Sequence, residues 1–564
     1  MILQALYEYY KRCDNLPRKG TELKEIGYLI VIDKDGMFIR LESRMVDKKR
    51  ASQFLVVQTI QRSGRKFISN YLWDNCEYVT GYSEKNKDKA LLCKNAFVER
   101  VNQLKSKLPN SSIVHAVSCF YELYPCVYDI LKDDILWKEM STSTKNISFL
   151  IQGCTSIAAE EGDVVNIASQ AEESDIHICL VSGTKGKTAR IHSKIPLQGN
   201  AFTSLVSFKD GKGYDSYGKE QGANAPVSEN AEFAYTTALN HLLEPYSRNK
   251  FTVGSRTFLF WASKDGEAGK KAEESIFSMF GFNEQDDPNR NIEQVRKTFN
   301  AIYSGNLKTS LDDKFYILGL APNSARIAVT YWSELPLKDF AALILRHFED
   351  MKITDTRKEK KPYMGLRSIL AAVTLGGKSS DATPNLPEAV VKSIFQGIPY
   401  PYTLFAGCIR RIRAEQNLNI TRAAIIKAYL NRKVNDNQKK IEVMLDKENT
   451  NQGYLCGRLF AVLDKIQDEA NNQHSIRERY MNSASATPAA VFATILNLSY
   501  HHSEKLNEGR KVWFEKIKQE IVDKISPDGF PAHLDLQDQG RFFVGYYQQT
   551  QWFYTKKEEQ TTEE

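Results

Sequence analysis

The run GYLCGRLFAVLDKIQDEAN, residues 453–471, places Leu455, Leu459, Val462, Leu463 and Ile466 at i, i+3, i+4 spacing. That period marks one face of an amphipathic helix. The pattern recurs on both sides of this stretch. Upstream, Ile425, Ile426, Tyr429 and Leu430 repeat it. Downstream, Thr487-Pro488 supplies an N-cap and N1 pair for a helix carrying Phe492, Ile495 and Leu496. Trp513, Ile517 and Ile521 mark one more. Each stripe is about one helix face wide, so the C-terminal part reads as a helical bundle. The tail from Lys556, KKEEQTTEE, has the composition of a disordered segment.

The chain before the bundle mixes short elements. MILQALYEYYKRC at the start reads as a helix. Residues 27–41, GYLIVIDKDGMFIRL, read as a β-hairpin around the turn signal Asp35-Gly36. Residues 91–108 read as a helix stopped by Pro109-Asn110. Residues 176–181, 204–208, 256–261, 315–320 and 327–332 are short β-branched and aromatic runs of strand type. Between Thr354 and Pro387 the chain turns charged and then Gly/Ser/Pro-rich, as an exposed connection would. The expected class is α+β: a large mixed α/β region over 1–353, a connection over 354–387, a helical bundle over 388–550 and a tail over 551–564. No internal repeat is visible.

The 564 residues suffice for two to four domains. Nine cysteines without paired spacing argue for a reducing cytosol over a disulfide framework. Glu8 and Lys11 interrupt the N-terminal apolar run before signal-peptide length. No apolar run approaches the ~18 residues of a membrane span. The expectation is a cytoplasmic chain with no membrane partner.

Net charge is +7, but its distribution is uneven. Residues 44–66 hold seven cations (Arg44, Lys48, Lys49, Arg50, Arg62, Arg65, Lys66) and the single acid Asp47. Residues 410–440 hold nine cations and two acids, Glu415 and Asp436. Local basic strips fit a polyanion groove, and solvated helix faces are the alternative. The 27 Tyr residues available for stacking favour nucleic acid.

Standard catalytic signatures are absent. VSGTKGKT, residues 181–188, ends like a phosphate-binding loop but has Val181 where the first glycine is needed. ARIHSKIP follows, where such a loop needs a helix. A plain hairpin is the expectation, with a lysine-bearing loop on a nucleic-acid backbone as the alternative. Cys154, His177, Cys179 and His192 lack the spacing by which one turn supplies two zinc ligands, and buried structural cysteines are expected instead. His501-His502 point ~100° apart on a helix and cannot share a metal. His241 reads as a satisfied core or interface histidine. No metalloprotease, serine-hydrolase or two-metal nuclease pattern emerges. Neither a catalytic centre, a cofactor nor a metal is expected.

Two loops have the composition of readers. One is YLWDNCEYVTG, residues 71–81, preceded by Ser69-Asn70. The other is SYGKEQGANAPVSE, residues 216–229, which leads into the apolar helix ENAEFAYTTALNHLL. Asn and Gln offer both donor and acceptor and can pair with base edges. On that chemistry Asn70, Asn75, Gln221 and Asn224 are candidates for base contact. Arg62, Arg65, Lys66 and Lys219 are candidates for phosphates. Arg410, Arg411, Arg413, Arg422 and Lys427 would track a displaced single strand. The alternative is that the amides cap turns and that Trp73 is core.

Beyond residues 216–243, several further stretches resemble one known family, the large subunit of the type I-C CRISPR Cascade surveillance complex. They are MILQALYEYY, YLWDNCEYVTG, VGSRTFLFWA (253–262), FYILGLAPNSARIAVTYW (315–332), CIRRIRAEQ (408–416), GYLCGRLFAVLDKIQDEAN and SIRERYMNSASATPAAVF (475–492). The match fades over 264–306 and after Thr354. The resemblance implies a non-catalytic subunit at the 5′ end of a CRISPR guide RNA, among the Cascade backbone and 5′-handle subunits. It implies recognition of a protospacer-adjacent motif in double-stranded DNA, support of the R-loop, and docking of a helicase–nuclease. In such systems base pairing reads the sequence while protein reads a short motif. It also implies a small subunit translated separately from the C-terminal helices, for which Met444 is the first choice of start and Met481 the second. Two other classes stay open at this point: a divergent nucleic-acid-processing enzyme, which would cleave unaided, and a protein-only scaffold, which would not retain DNA.

Overall fold

Residues 21–32, TELKEIGYLIVI, form the longest strand of the first sheet (β1, Thr21–Ile32). Its second half is an unbroken apolar run and is buried from Ile26 onward. The turn after it is closed by Asp33, whose carboxylate accepts from the backbone N–H of Asp35 (2.9 Å) and Met37 (2.8 Å). Gly36 there takes φ 84°, and a Cβ would meet Phe120 N at 2.5 Å, so only glycine fits. The expected hairpin therefore forms, with β2 at Phe38–Ser43.

This computed structural model describes all residues except 14–15, 48, 60–66, 169–175, 198–200, 209–216, 281–291, 324–325, 358–364, 434–438, 473–474 and 556–564. Three more strands complete the first sheet: β3 (Gln53–Val57), β4 (Trp73–Asp74) and β5 (Asn146–Ile151). Strand order is β2-β1-β5-β4, with β3 also on β1. β5 runs parallel to β1, and the other pairs are antiparallel. The helices Lys87–Lys107 and Ser112–Leu123 cover the sheet through Phe97, Val101, Val117 and Phe120. A small hairpin pairs β6 (Ile176–Ile178) with β7 (Lys185–Lys187). β8 (Ile195–Leu197) pairs with β9 (Ala201–Thr203). Residues 204–208, read as a strand, carry no ladder, because the register of β8 ends on Thr203.

The second sheet is an antiparallel meander: β10 (Lys250–Val253), β11 (Arg256–Ala262), β12 (Lys314–Asn323) and β13 (Arg326–Pro336). Its core face is aromatic. Phe251 stacks on Phe258 and Phe280 with centroids 5.0 and 4.9 Å apart, and Phe315 on Phe340 at 4.5 Å. The helices Glu267–Phe280, Ile292–Ser304 and Leu337–Met351 lie in the same core.

The chain divides into two compact units. One comprises Met1–Glu8, Lys194–Val206 and Leu239–Glu564, and the other Tyr9–Ser193 and Ser207–Ala238. The division does not follow the expected boundary near 353. Apolar continuity decides it: Phe251, Phe258 and Ile317 of the second sheet share one core with Ile394, Leu404 and Leu459 of the helical part. Within the expected connection, Leu366, Ile369, Leu370 and Leu386 are buried in that core. The fold class is nonetheless the mixed α/β arrangement followed by helices that the sequence predicts.

In the helical part, Gln452–Asn471 is the central helix and is buried on nearly every face. Around it lie Ser475–Ala486, Pro488–Ser503, Glu508–Val522 and Leu536–Trp552. Small residues let the central helix and Leu536–Trp552 touch backbone to backbone. A Cβ on Gly457 would lie 2.0 Å from Phe542 O, and one on Gly545 2.3 Å from Tyr454 O. Several polar side chains buried at this seam are paired. Arg458 donates to Gln549 Oε1 (3.1 Å) and Glu520 Oε1 (2.8 Å), and Tyr454 to Gln548 Oε1 (2.6 Å). Among the described residues no helix is long and apolar enough to cross a membrane.

Candidate nucleic-acid interface

The loop before helix Glu229–Leu243 and the β6–β7 hairpin form one structure. Leu180 N–H donates to Pro226 O and Ala189 N–H to Val227 O, both at 2.9 Å, and Thr188 bridges to Ser228. Gly222 sits so close to the hairpin's return that a Cβ would fall 2.1 Å from Ala189 O. The 181–188 segment is thus a hairpin, as expected. Its position is held from beneath by the buried Cys179 thiol, which accepts from Ser228 N (3.2 Å) and Ser182 N (3.5 Å). Burial pushes that thiol's pKa up, but the side chains of Ser182 and Ser228, with these backbone donors, outweigh it and bring it to about 7. Glu229 clamps Lys187 and Lys19, each at 3.3 Å.

Above this base the loop is strained and exposed. Tyr217 (φ 54°) and Gln221 (φ 44°) are non-glycine residues in the left-handed region. Tyr217 is fully exposed, and Lys219 and Lys185 also face solvent. Asn224 secures the turn, its side-chain N–H₂ donating to Lys219 O (3.1 Å) and Gln221 O (3.2 Å). An exposed aromatic with Lys219 on a pre-shaped loop, and Lys185 on the hairpin joined to it, can stack a base and hold phosphates. Residue-type reasoning named Lys219, Gln221 and Asn224 here. Tyr217 and Lys185 carry no amide, and the hairpin of one is joined to the loop of the other only in the fold, through Ala189 and Val227.

The other proposed reader is not arranged for base contact. Asn70 is buried, and its N–H donates to Asp74 Oδ2 at 3.0 Å. Asn75 is the N-cap of the short helix Cys76–Thr80, its Oδ1 accepting from Tyr78 N at 3.2 Å. Trp73 is core, with its indole N–H on Val57 O at 3.1 Å. Arg62, Arg65 and Lys66 lie outside the described residues. Elsewhere in the N-terminal strip Arg44 pairs with Glu42 and Arg50 with Asp47, each at 2.7 Å. Backbone N–H donation from Lys49, then the Arg50 side chain, draws the Asp47 carboxyl down to about 2.

The 410–440 strip is partly internal, with Arg422, Lys427 and Arg432 buried. Arg422 is buried, donating to Ala372 O (3.0 Å) and Asn417 O (2.7 Å) and pairing with Glu415 (2.6 Å). Lys427 is buried and its pKa is lowered by that burial. These two are not placed to follow a displaced strand, because the helix Ile420–Lys433 that carries them is core on nearly all sides. Arg411 pairs with Glu415 one turn on. Arg413 reaches Gln539 at 3.5 Å, and Arg410 is exposed.

Of the histidine and cysteine candidates, His177 bonds Thr188 Oγ1 (3.2 Å) and His192 bonds Tyr235 (2.5 Å). Cys179 is buried but Cys154 is exposed, contrary to the expectation for the pair. His241 is half-buried against Glu244 at 3.3 Å. Among the described residues no three His, Cys, Asp or Glu side chains gather as a metal site.

A family model described as CRISPR-associated protein (Cas_Csd1) matches residues 6–554. No curated protein matches the chain.

Proposed function

Because the chain belongs to the Cas_Csd1 family of CRISPR-associated proteins, we propose that it is the non-catalytic large subunit of a type I-C Cascade complex in the cytoplasm. In this reading it recognises the protospacer-adjacent motif in double-stranded DNA, steadies the R-loop and recruits a helicase–nuclease. The family match along residues 6–554 carries the reading. The Tyr217–Asn224 loop and the β6–β7 hairpin form the DNA-facing surface. Lys185 and Lys219 hold phosphates, Tyr217 stacks on a base that unpairs as the duplex opens, and Gln221 and Asn224 give the turn its shape. Asn70 and Asn75 serve the fold, and of the five cations named for the displaced strand Arg410 is the one exposed to solvent.

The separate small subunit also fits the helix layout. Met444 is exposed and precedes the helix Gln452–Asn471, so a start there keeps the last five helices whole. Met481 lies buried inside Ser475–Ala486 and would cut that helix.

Purification from cells under a mild tag tests the reading. Guide RNA and companion subunits should co-purify, and the complex should retain duplexes selected from a library randomised beside the target. Lys185→Ala and Lys219→Ala should weaken selected and random duplexes alike, each lowering the salt slope by about 0.9. Asn224→Ala should lower the preference for selected duplexes. Recovery of the chain free of RNA and companions, or unaided cleavage of DNA by the chain, would overturn the proposal.

A further inference from the structure

The unit built on Leu239–Glu564 contains a cleft of 1410 Å³, and none of the residues discussed above as a DNA contact is among its lining. Its floor is apolar, from Phe251, Phe280 and Leu370. The β10–β11 turn with Gly254 (φ 61°) forms one wall, and the short helix Leu366–Ala371 with the loop 377–384 forms another.

Three observations specify its ligand. The first is charge: Arg248, Lys250, Arg367 and Lys378 line the cleft, and among the described residues no Asp or Glu does. Acids close by already have partners, and Asp381 and Glu244 take theirs partly from the lining itself, through Ser380 and Lys250. Glu388 binds Arg256 and Lys392, Asp381 accepts from Ser380, and Glu244 faces His241. The second is the spread of small donors, with hydroxyls from Ser247, Thr252, Ser255, Ser379 and Ser380 on both walls. The third is an aromatic at the rim: Tyr246 is 87% exposed, and the Arg248 guanidinium lies 5.8 Å from the Phe277 ring centroid.

Cations with interspersed hydroxyls suit phosphodiester oxygens. An exposed ring beside them suits an unstacked base. The volume exceeds the ~300–1,000 Å³ usual for small-molecule sites, which favours a stretch of polymer over a free nucleotide. A duplex presents no base face for Tyr246, so the strand is single. The Lys250 ammonium is partly committed, since it donates to Leu243 O at 2.8 Å, and burial lowers its pKa. Arg248, Arg367 and Lys378 are therefore the principal phosphate contacts.

We infer that this cleft binds a short single-stranded segment of nucleic acid, phosphates on Arg248, Arg367 and Lys378 and one base on Tyr246. The shared chemistry is the phosphodiester chain, from either a displaced DNA strand or an RNA. The inference deepens the nucleic-acid role proposed above and relies on that role for its biological meaning, though the binding itself can be measured on the purified full-length chain.

Fluorescence anisotropy with labelled dT20 and U20 tests it at several salt concentrations. Arg367→Glu/Lys378→Glu should weaken binding at least tenfold and reduce the salt slope by about 1.4, from ~0.7 for each single-strand phosphate contact. Tyr246→Ala should weaken binding about fivefold or more with the slope unchanged, as loss of stacking does. Lys297→Glu/Lys308→Glu, an equal charge change at exposed positions away from the cleft, should have a far smaller effect. Preference for dT20 assigns the cleft to DNA, and preference for U20 to RNA; either supports it. Binding of neither oligonucleotide, or a cleft variant that behaves like the Lys297/Lys308 control, overturns the inference. Co-purification with guide RNA is scored separately on the same variants. A cleft failure with normal assembly therefore leaves the large-subunit reading standing, and lost assembly by the parent chain refutes that reading alone.

Discussion

Alanine at Gly457 should loosen the seam between the helices Gln452–Asn471 and Leu536–Trp552. The added Cβ would lie 2.0 Å from Phe542 O, 2.7 Å from its carbonyl C and 2.9 Å from its Cα. All three are backbone atoms, so no rotamer change relieves them and the helices must part by about 1.5 Å to restore ordinary contact. Overpacking of this kind costs about 1–3 kcal/mol. The separation also stretches the Arg458–Gln549 and Tyr454–Gln548 hydrogen bonds, each worth about 1 kcal/mol net. Against this, alanine gains about 1 kcal/mol over glycine in helix propensity. The balance is a loss of about 2–4 kcal/mol. Hydrogen exchange on the full chain, followed in peptides spanning 453–466 and 540–549, reports it directly. Gly509→Ala is the control, since a Cβ there meets only Asn507 Oδ1 at 3.8 Å, and it should be neutral or stabilising. Equal or greater protection in Gly457→Ala than in the parent would refute the close-contact argument.

Further outcomes follow from other sites. His347 is fully buried against Tyr400 (2.7 Å), and burial with the nearby Arg432 charge lowers its pKa to about 3. The unfolded chain takes up this proton near pH 6.5 and the folded chain does not. Its contribution is therefore complete above pH 6.5 and falls by about 1.4 kcal/mol per unit toward pH 3; urea titrations at pH 7, 6 and 5 should show a shallower acid loss in His347→Gln. Asn75→Ala should cost about 1 kcal/mol as a lost N-cap and leave DNA preference unchanged, measured by thermal melting and duplex retention. Cys179→Ala removes the acceptor for two amides, one of them the buried Ser228 N–H, at about 1–3 kcal/mol, and should speed proteolysis within 180–228. Met444→Leu should abolish a separate C-terminal product on an immunoblot while full-length chain persists.

Sequence periodicity located most elements well. The 27–41 hairpin, the β11 to β13 runs and the helices after 420 all follow from alternation or i, i+3, i+4 spacing. Domain limits were harder to read, because a charged, glycine-rich surface and a buried face alternate within 354–387. Composition marks the surface, yet Ile369 and Leu370 point into the core. Basic strips misled for a related reason. Arg422 and Arg432 resemble surface cations in one dimension, but carbonyls of Ala372 and Ser393, distant in sequence, receive them. The Asn75 cap was visible as an alternative and proved to be its role. Tyr217, Tyr246 and Arg367 carry no motif, and their grouping with other cations arises only when loops far apart in sequence meet.

The flank of Leu536–Trp552 at Gly540, where a Cβ would approach Ile426 and Phe405, has a double life under the proposed internal start. In the long product that groove is filled by the chain's own Ile420–Lys433 helix. In the short product the same groove is bare at birth and must find a substitute lining on a neighbour. A change at Gly540 would thus be screened twice, once in each polypeptide, by two different surroundings.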